Sequence, residues 1–357
     1  MLDPSTKRIV PRTALAAVRR KAPREFAEAI RTIVDAQIPT PAYEPTFSGY
    51  YGDLTAPAAL DRFTRYYWDL LDFARVDPAR KTVVEAGCGF GVAVILMAAL
   101  GAEARGVEIV PWMVDFVHEY QPLLPDGLAN RIGVVAGTAS GMPYEDGSVD
   151  LLLSTEAISH YLDYEPFLAE ARRVLKLGGT LLVSDGNNGL NPLTRRRTKT
   201  IWASHERDPD VLVVGGERYE NNPWWLVRKR EEIIAGHLPD VDHGVQHELA
   251  LRTAGMVRAQ IIAACDEYTS SARMPTSFYR PGQLSVHPDH EMVMERLFNP
   301  FRLKREIEEV GFRARLRGHW GGASGQHAVR LADDLLGALS PVTMCTARAF
   351  RIAAVKT

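Results

Sequence analysis

The sequence predicts an α/β protein built on a doubly wound, mostly parallel sheet of seven strands. A helical segment precedes the sheet, and a large, mainly helical insertion follows the fifth strand. Between residues 81 and 186 short β-branched runs alternate with helical patterns, which is typical of a parallel sheet covered by helices. Each run is apolar throughout, as a strand buried under two helix layers requires. The predicted units are residues 1–80, 81–186, 187–298 and 299–357.

The first unit is predicted to be mainly helical. Residues 55–76 carry apolar side chains at helical intervals and therefore predict an amphipathic helix. Several prolines precede it, so residues 39–54 are predicted to be a loop. A second, basic helix is expected at residues 12–21. Such a helix can touch anionic lipid, although a solvated helix on the edge of the core is the simpler interpretation.

The second unit supplies five strands and the helices between them. Its helix at residues 165–179 is expected to stop at the two glycines of its C-terminus. The strands are predicted at 81–87, 104–110, 131–137, 148–155 and 180–186, and the helices at 92–102, 112–120 and 165–179.

The insertion and the last unit complete the predicted sheet. Residues 187–202 are polar, basic and rich in turn residues, and residues 272–291 contain prolines typical of loops. Helical patterns occupy 222–236, 241–268, 299–312 and 331–339, and the last two strands are expected at 312–320 and 346–356.

Composition excludes several classes of protein. The formal net charge of −2 gives no global basic field for nucleic acid or an anionic membrane. The three cysteines, Cys88, Cys265 and Cys345, are scattered and odd in number, which favours a reducing compartment over a disulfide framework. The chain has neither an apolar run of membrane-spanning length nor a secretory signal. We therefore expect a cytoplasmic protein.

Residues 83–91 read VVEAGCGFG, a strand running into a glycine-rich turn before a helix. Main-chain amides and the start of a helix at such a turn favour an anion or a nucleotide. The dinucleotide fingerprint needs a small residue at its sixth position, where this chain has Val92. Glu85 would repel a pyrophosphate but attract a ligand with an ammonium or sulfonium group. Glu108, at the tip of the second strand, is placed to accept both hydroxyls of a ribose.

These motifs resemble those of the class I S-adenosylmethionine-dependent methyltransferases, in their small-molecule, type 11-like branch with a Rossmann-like core. VVEAGCGFG resembles the first motif of that family and GVEIV the second. Residues 141–185 resemble the segment that reads L-P-F-x-D-x-S-F-D, then an acid and a histidine, then R-V-L-K-P-G-G. The resemblance covers residues 81–185, and a weaker resemblance extends over residues 299–355. Two departures are Thr138, where the family often has Asp, and Leu177 in place of Pro.

The resemblance implies S-adenosyl-L-methionine as cofactor and a set of residues that bind it. Glu85 and the backbone of the glycine turn would hold the methionine end, and Glu108 the ribose. Thr138 and Ala139 would lie along the adenine, and Ser154 and Thr155 would line the methyl-transfer site. The predicted cofactor-binding residues are Glu85, Gly87, Cys88, Gly89, Gly91, Glu108, Ile109, Thr138, Ala139, Ser154 and Thr155.

Methyl transfer to a hydroxyl also needs a group that takes the proton. His160, in the STEAISHY stretch, is the catalytic candidate, although a structural histidine is the simpler interpretation. His243 and His247 lie four residues apart, a spacing that can bind a divalent metal. No third ligand follows at a suitable spacing, so no metal is predicted.

A basic run at residues 195–199 lies in the insertion, and Trp202, Trp224 and Trp225 follow it in the sequence. Together they could stack on and neutralise nucleic acid, bind an anionic small substrate, or form an exposed charged helix whose tryptophans pack inward. The insertion leaves the carboxyl end of a strand, where ligands of doubly wound folds bind. It is therefore expected to roof the acceptor pocket.

The function predicted is methyl transfer from S-adenosylmethionine to a hydroxyl, less readily a carboxyl or amine, of a small-molecule or glycan-type acceptor. An RNA methyltransferase and a non-catalytic, cofactor-binding scaffold or partner subunit are the alternatives. The net charge argues against a long nucleic-acid footprint. The oligomeric state is not predicted.

Overall fold

A computed structural model describes residues 22–36, 52–207, 211–214, 217–220, 225–321 and 327–357. Its centre is a seven-stranded sheet of order β10-β11-β5-β4-β1-β2-β3, in which β11 alone runs antiparallel to its neighbours. The doubly wound, mostly parallel sheet predicted from the sequence is confirmed. The predicted basic helix at residues 12–21 lies outside the described residues. Within them, none of the helices has the length and hydropathy needed to cross a bilayer.

Short elements alternate along the chain as the sequence pattern predicts. The strands are β1 Thr82–Ala86, β2 Glu103–Glu108, β3 Ile132–Ala136, β4 Val149–Thr155, β5 Leu175–Asp185, β6 Val211–Val214, β7 Glu217–Glu220, β8 Val286–His287, β9 Met292–Val293, β10 Phe312–His319 and β11 Ala349–Lys356. The helices are α1 Arg24–Asp35, α2 Pro57–Ala74, α3 Val92–Ala99, α4 Pro111–Tyr120, α5 Asp126–Ala129, α6 Glu165–Val174, α7 Pro192–Arg207, α8 Leu226–His237, α9 His243–Leu251, α10 Arg258–Ser271, α11 Pro300–Glu309, α12 His327–Ala338 and α13 Ser340–Thr343.

Two hydrophobic layers sandwich the sheet, because successive strand residues point to opposite faces. Val83 joins the layer formed with α1, α2 and α3, whereas Val84 joins the layer formed with α6 and α11. The fully buried helix α3 explains why its sequence is apolar all round. The sheet order reverses between β1 and β4, and ligands of doubly wound folds bind at such a switch point.

The predicted helix at residues 165–179 is shorter than expected. Helix α6 ends at Val174, and the chain enters β5 at Leu175, which pairs with Val149 and is fully buried. Because pairing with β4 and burial of Leu175 outweigh another helical turn, the two glycines lie in the strand. The register shift in β4–β5 accommodates them.

The turn-rich prediction for residues 187–202 is wrong over most of its length, because Pro192–Arg207 form helix α7. The side chain of Asn191 accepts hydrogen bonds from Leu193 N at 2.9 Å and from Thr194 N at 3.4 Å. An asparagine cap followed by proline is a favourable start for a helix. The inner face buries Ile201 and Trp202, so packing overrides the polar composition.

Candidate functional site

The turn after β1 has no room for side chains at Gly87 and Gly91. Gly87, Gly89 and Gly91 have φ of 72°, 52° and 73°, a region that strains other residues. A Cβ on Gly87 would lie 2.8 Å from the Cβ of Ala157, and one on Gly91 would lie 2.7 Å from the Tyr120 hydroxyl. Bare main chain therefore forms a cradle at the N-terminus of α3.

Glu85 is a buried carboxyl without a cationic partner among the described residues. Its Oε1 accepts hydrogen bonds from the hydroxyls of Thr155 at 2.7 Å and Tyr67 at 3.3 Å. Burial raises the pKa of Glu85 to about 7, against the effect of these two donors. A ligand cation beside this carboxyl would offset the cost of burying its charge. The structure thus brings together two predicted residues, Glu85 and Thr155, and adds Tyr67.

Glu108 ties the end of β2 to the glycine turn. Its Oε2 accepts from Gly89 N at 2.8 Å, and its Oε1 accepts from Val110 N at 3.0 Å. Burial raises the pKa of Glu108, and the backbone donors oppose this rise. A carboxylate has about four acceptor positions, so two remain for further donors such as vicinal hydroxyls.

The other residues predicted along the cofactor differ in what they present. Burial raises the pKa of the Cys88 thiol, which packs against Gly106 and lies 3.9 Å from the carbonyl oxygen of Gly89. Ile109 is half-buried next to Glu108. Thr138 is exposed with its hydroxyl 3.3 Å from that of Ser140, and Ala139 is half-buried.

Ser154 lies near the end of β4, and His160 lies in the segment that follows this strand. The Ser154 hydroxyl lies 3.1 Å from the hydroxyl of Tyr161, which donates to the carbonyl of Ala86 at 2.9 Å. The Nδ1 of His160 lies 3.0 Å from the carbonyl oxygen of Val293. A proton on Nδ1 leaves Nε2 as an acceptor.

Sequence reasoning missed a polar cluster beside these residues. Glu156, directly after β4, has φ of 50° and accepts a hydrogen bond from Gly186 N at 2.8 Å. The Tyr66 hydroxyl donates to Ser184 at 2.8 Å and lies 3.5 Å from the Glu156 carboxyl. Glu156 as a residue is exposed, but the protein atoms packed around its carboxyl, and then the charge of Asp185, raise the pKa of Glu156. Glu156 and Asp185 each stand where a strand ends, a signal that the sequence did contain.

Arg351 is a buried cation next to this cluster. It is 2% exposed, and its Nε and Nη2 have no hydrogen-bond partner among the residues that the structure describes. The guanidinium lies 5.3 Å from the ring centroid of Tyr66, and burial lowers the pKa of Arg351. Since β11 pairs Arg351 with Ser184, the cation offsets part of the negative charge at the ends of β4 and β5.

The histidine pair and the basic run of the insertion lie on different helices, α9 and α7. His247 bonds through Nδ1 to Glu231 at 2.5 Å, and His243 is exposed. In the part of the chain that the structure describes, no group of three or more histidine, cysteine or acidic side chains could hold a metal. Residues 195–199 lie on α7, where Trp202 is buried.

The chain is similar to known methyltransferases over its central part. Residues 84–183 match a family model described as a methyltransferase domain. Ajmaline N-methyltransferase of Rauvolfia serpentina is 30% identical over 139 residues, 36% of this chain and 47% of that protein. The 2-methyl-6-phytyl-1,4-hydroquinone methyltransferase of Synechocystis is 32% identical over 149 residues, 39% of this chain and 43% of that protein. This chain therefore spans less than half the length of these curated relatives.

Solved structures are similar at low sequence identity. An S-adenosylmethionine-dependent methyltransferase from Mesorhizobium loti is 13% identical, with a TM-score of 0.42 over 81% of this chain and 97% of its own.

Proposed function

We propose, from the premise that residues 84–183 are a class I S-adenosylmethionine-dependent methyltransferase domain, that the protein methylates a hydroxyl of a small-molecule or glycan-type acceptor. S-adenosylmethionine supplies a methyl group already activated on a positively charged sulfur. The observation that carries the proposal is Glu85, a buried carboxyl beside a bare glycine cradle, bonded to two hydroxyls and to no cation among the described residues.

The residues at the carboxyl edge suit this cofactor chemically. Glu85 would pair with the ammonium group, since a cation favours the charged form of a buried carboxyl. Main chain from Gly87 to Gly91 would approach the ligand closely, and Glu108 would accept the two ribose hydroxyls. Thr138 and Ala139 would border the adenine.

Two groups are placed to receive the proton of a hydroxyl acceptor. Glu156 lies directly after β4 and carries a carboxyl whose pKa is raised by burial. A base is most effective when its pKa is near the working pH. His160 offers Nε2 when Nδ1 donates to the Val293 carbonyl. Either group can hold the proton while the acceptor stays within reach of the methyl group.

The insertion supports the proposal because it contacts the loop after β4 and would cover it. Arg296 donates from its main-chain nitrogen to the carbonyl of Ser159 at 2.8 Å and from Nη2 to that of Leu162 at 2.6 Å. His160 meets Val293 from the same stretch. Exclusion of water by such a cover positions the acceptor and prevents loss of the methyl group to solvent.

The names of the relatives leave the accepting atom open, since one acts on a nitrogen and another on a hydroquinone. The preference for oxygen therefore rests on Glu156 and His160. A reducing, cytoplasmic setting is part of the proposal, supported by two buried free thiols, Cys88 and Cys265.

Calorimetry and labelling test the proposal together. The protein should bind S-adenosylmethionine at micromolar concentration, and Gly89→Val and Glu108→Ala should abolish binding. With isotope-labelled cofactor and a cell extract, mass spectrometry should find the label in a small molecule. At saturating cofactor, where the titration of Glu85 no longer limits binding, Glu156→Gln and His160→Gln then show which group takes the proton, since only loss of that group removes the remaining pH dependence of transfer. Unchanged affinity in both binding variants, or label in RNA alone, would contradict the proposal.

A further inference from the structure

Helix α12 and the turn after it expose an apolar stripe to solvent. Leu331 and Leu335 lie four residues apart on one face of α12, Leu339 directly follows α12, and Val342 lies in α13. Exposed apolar side chains in such a continuous row mark an interaction site, whereas single ones do not. The exposed fractions are 62% for Leu331, 60% for Leu335, 56% for Leu339 and 77% for Val342.

The opposite face of α12 is polar and faces the protein. Asp333 accepts from Arg317 Nη2 at 2.9 Å and from the main-chain nitrogen of Trp320 at 2.6 Å. The hydroxyl of Ser340 accepts from Gly318 N at 2.8 Å. A surface helix normally buries its apolar stripe and exposes its polar one. Here the inward side of α12 and α13 carries Asp333 and Ser340 beside the half-buried Leu336. Leu331 and Leu335 point outward instead and are available to an external partner.

Helix α7 places unpaired cations near this stripe. Arg195, Arg196 and Lys199 are exposed and line a depression of about 520 Å³. None of the three bonds to a carboxylate in the described parts of the chain. Leu193, 77% exposed, stands at the start of the same helix.

Hydrogen bonds join the basic and the apolar segments. The side-chain amide of Asn191, just before α7, donates to the carbonyl of Ala347 at 2.9 Å. The amide of Asn188 donates to the carbonyl of Met344 at 2.8 Å. Residues 344–347 directly follow α13, so the start of α7 and the end of the stripe meet here. This junction lies between β5 and β11, at the sheet edge that carries the cofactor-binding turn.

We propose that the α7–α12 face, defined by Leu193, Arg195, Arg196, Lys199 and the stripe 331–342, docks on an anionic phospholipid surface. Apolar side chains flanked by basic ones bind the boundary between headgroups and acyl chains. A second copy of the chain fits less well, because a two-fold interface through the same face brings like charges together. The proposal does not depend on the proposed function, and it places the acceptor pocket next to the lipid.

Vesicle sedimentation tests the proposal with the full chain. The protein should sediment with vesicles of equal parts phosphatidylcholine and phosphatidylglycerol but not with phosphatidylcholine alone. The double variants Leu335→Asp/Leu339→Asp and Arg195→Glu/Arg196→Glu should each lower the bound fraction about ten-fold or more, given the attraction of each basic residue to an anionic surface.

Matched controls come from the opposite edge of the sheet. Leu177 is 80% exposed at the register shift near the start of β5, and Arg313 is exposed at the start of β10. Leu177→Asp and Arg313→Glu should bind as the unaltered protein does, and circular dichroism should show all variants folded. Three results would overturn the proposal: no binding to the mixed vesicles at low salt, equal loss in the controls, or a dimer that the leucine variant dissolves while vesicle binding is absent.

Discussion

Replacing Glu85 by glutamine should stabilise the free protein and weaken its binding of cofactor. Burial holds the pKa of this carboxyl at about 7, against 4.5 in the unfolded chain. The folded state therefore binds the proton more tightly, and stability contributed by the neutral form is lost as pH rises from 4.5 to 7. This difference in pKa corresponds to a loss of at most about 3 kcal/mol in the free energy of unfolding above pH 7. Glutamine keeps the acceptor for Thr155 and Tyr67 without the charge.

The two effects have opposite signs and are measured on the same samples. Urea unfolding from pH 4.5 to 8 should show Glu85→Gln gaining stability over the unaltered protein only as pH rises. Calorimetry at pH 8 should show its affinity for S-adenosylmethionine reduced roughly ten- to hundred-fold, the value of a charge-assisted hydrogen bond of about 1.5–3 kcal/mol. As pH falls below 7 the unaltered protein should lose affinity and approach the variant.

The control is Glu119→Gln, the same change at an exposed position of α4. It should leave both the stability curve and the affinity unchanged. The reasoning is refuted if Glu85→Gln lowers stability at pH 8, or if the ratio of the two affinities stays constant between pH 5 and 8. Either result would show that Glu85 is not a buried carboxyl whose negative charge is destabilised until a cation binds.

Three further changes test single contacts. Gly91→Ala should lower the unfolding free energy by about 2–3 kcal/mol or more, because its Cβ would lie 2.7 Å from a hydroxyl. The control Gly147→Ala has a similar φ but open space around it, and should cost about 1 kcal/mol. Urea unfolding compares the two variants. Tyr67→Phe removes a donor that lowers the pKa of Glu85, so the pH midpoint of cofactor binding, followed by calorimetry, should move upward. Asn191→Ala removes the cap of α7 and should cost about 1 kcal/mol in thermal unfolding.

The sheet could be predicted because its signals are local and repeated. Each core strand is a short β-branched run, and each following helix has its own apolar periodicity, so β1 through β4 match the expected ranges closely. Composition did not settle the structure of helix α7, because its arginines and its single proline, Pro192, indicated a turn-rich segment and a charged helix was only one alternative. Its determinants are the Asn191 side chain and the distant surface that buries Trp202.

The glycine turn after β1 could be predicted because its residues are consecutive. Glu85 and the three glycines occupy seven positions, and main-chain geometry there depends on glycine itself. The cluster of Tyr66, Glu156 and Arg351 draws on three distant parts of the chain. Tyr66 lies on a helix whose apolar pattern already accounts for the residue as part of a packed face. The sequence around Arg351 does not indicate that its guanidinium is buried beside the ring of Tyr66. Tertiary proximity, not residue type, makes these residues a site.

Four adjacent parallel strands each end in or next to a carboxyl, namely Glu85, Glu108, Glu156 and Asp185. All four have raised pKa values, and the first cause is loss of water around the carboxyl, in Glu156 even though the residue as a whole is exposed. The edge is therefore costly to ionise without a cation. A positively charged ligand reduces that cost, and its affinity therefore derives from destabilisation already present in the free protein. The same edge should hold a sulfonium more tightly than the neutral thioether left after transfer, which favours exchange of product for fresh cofactor.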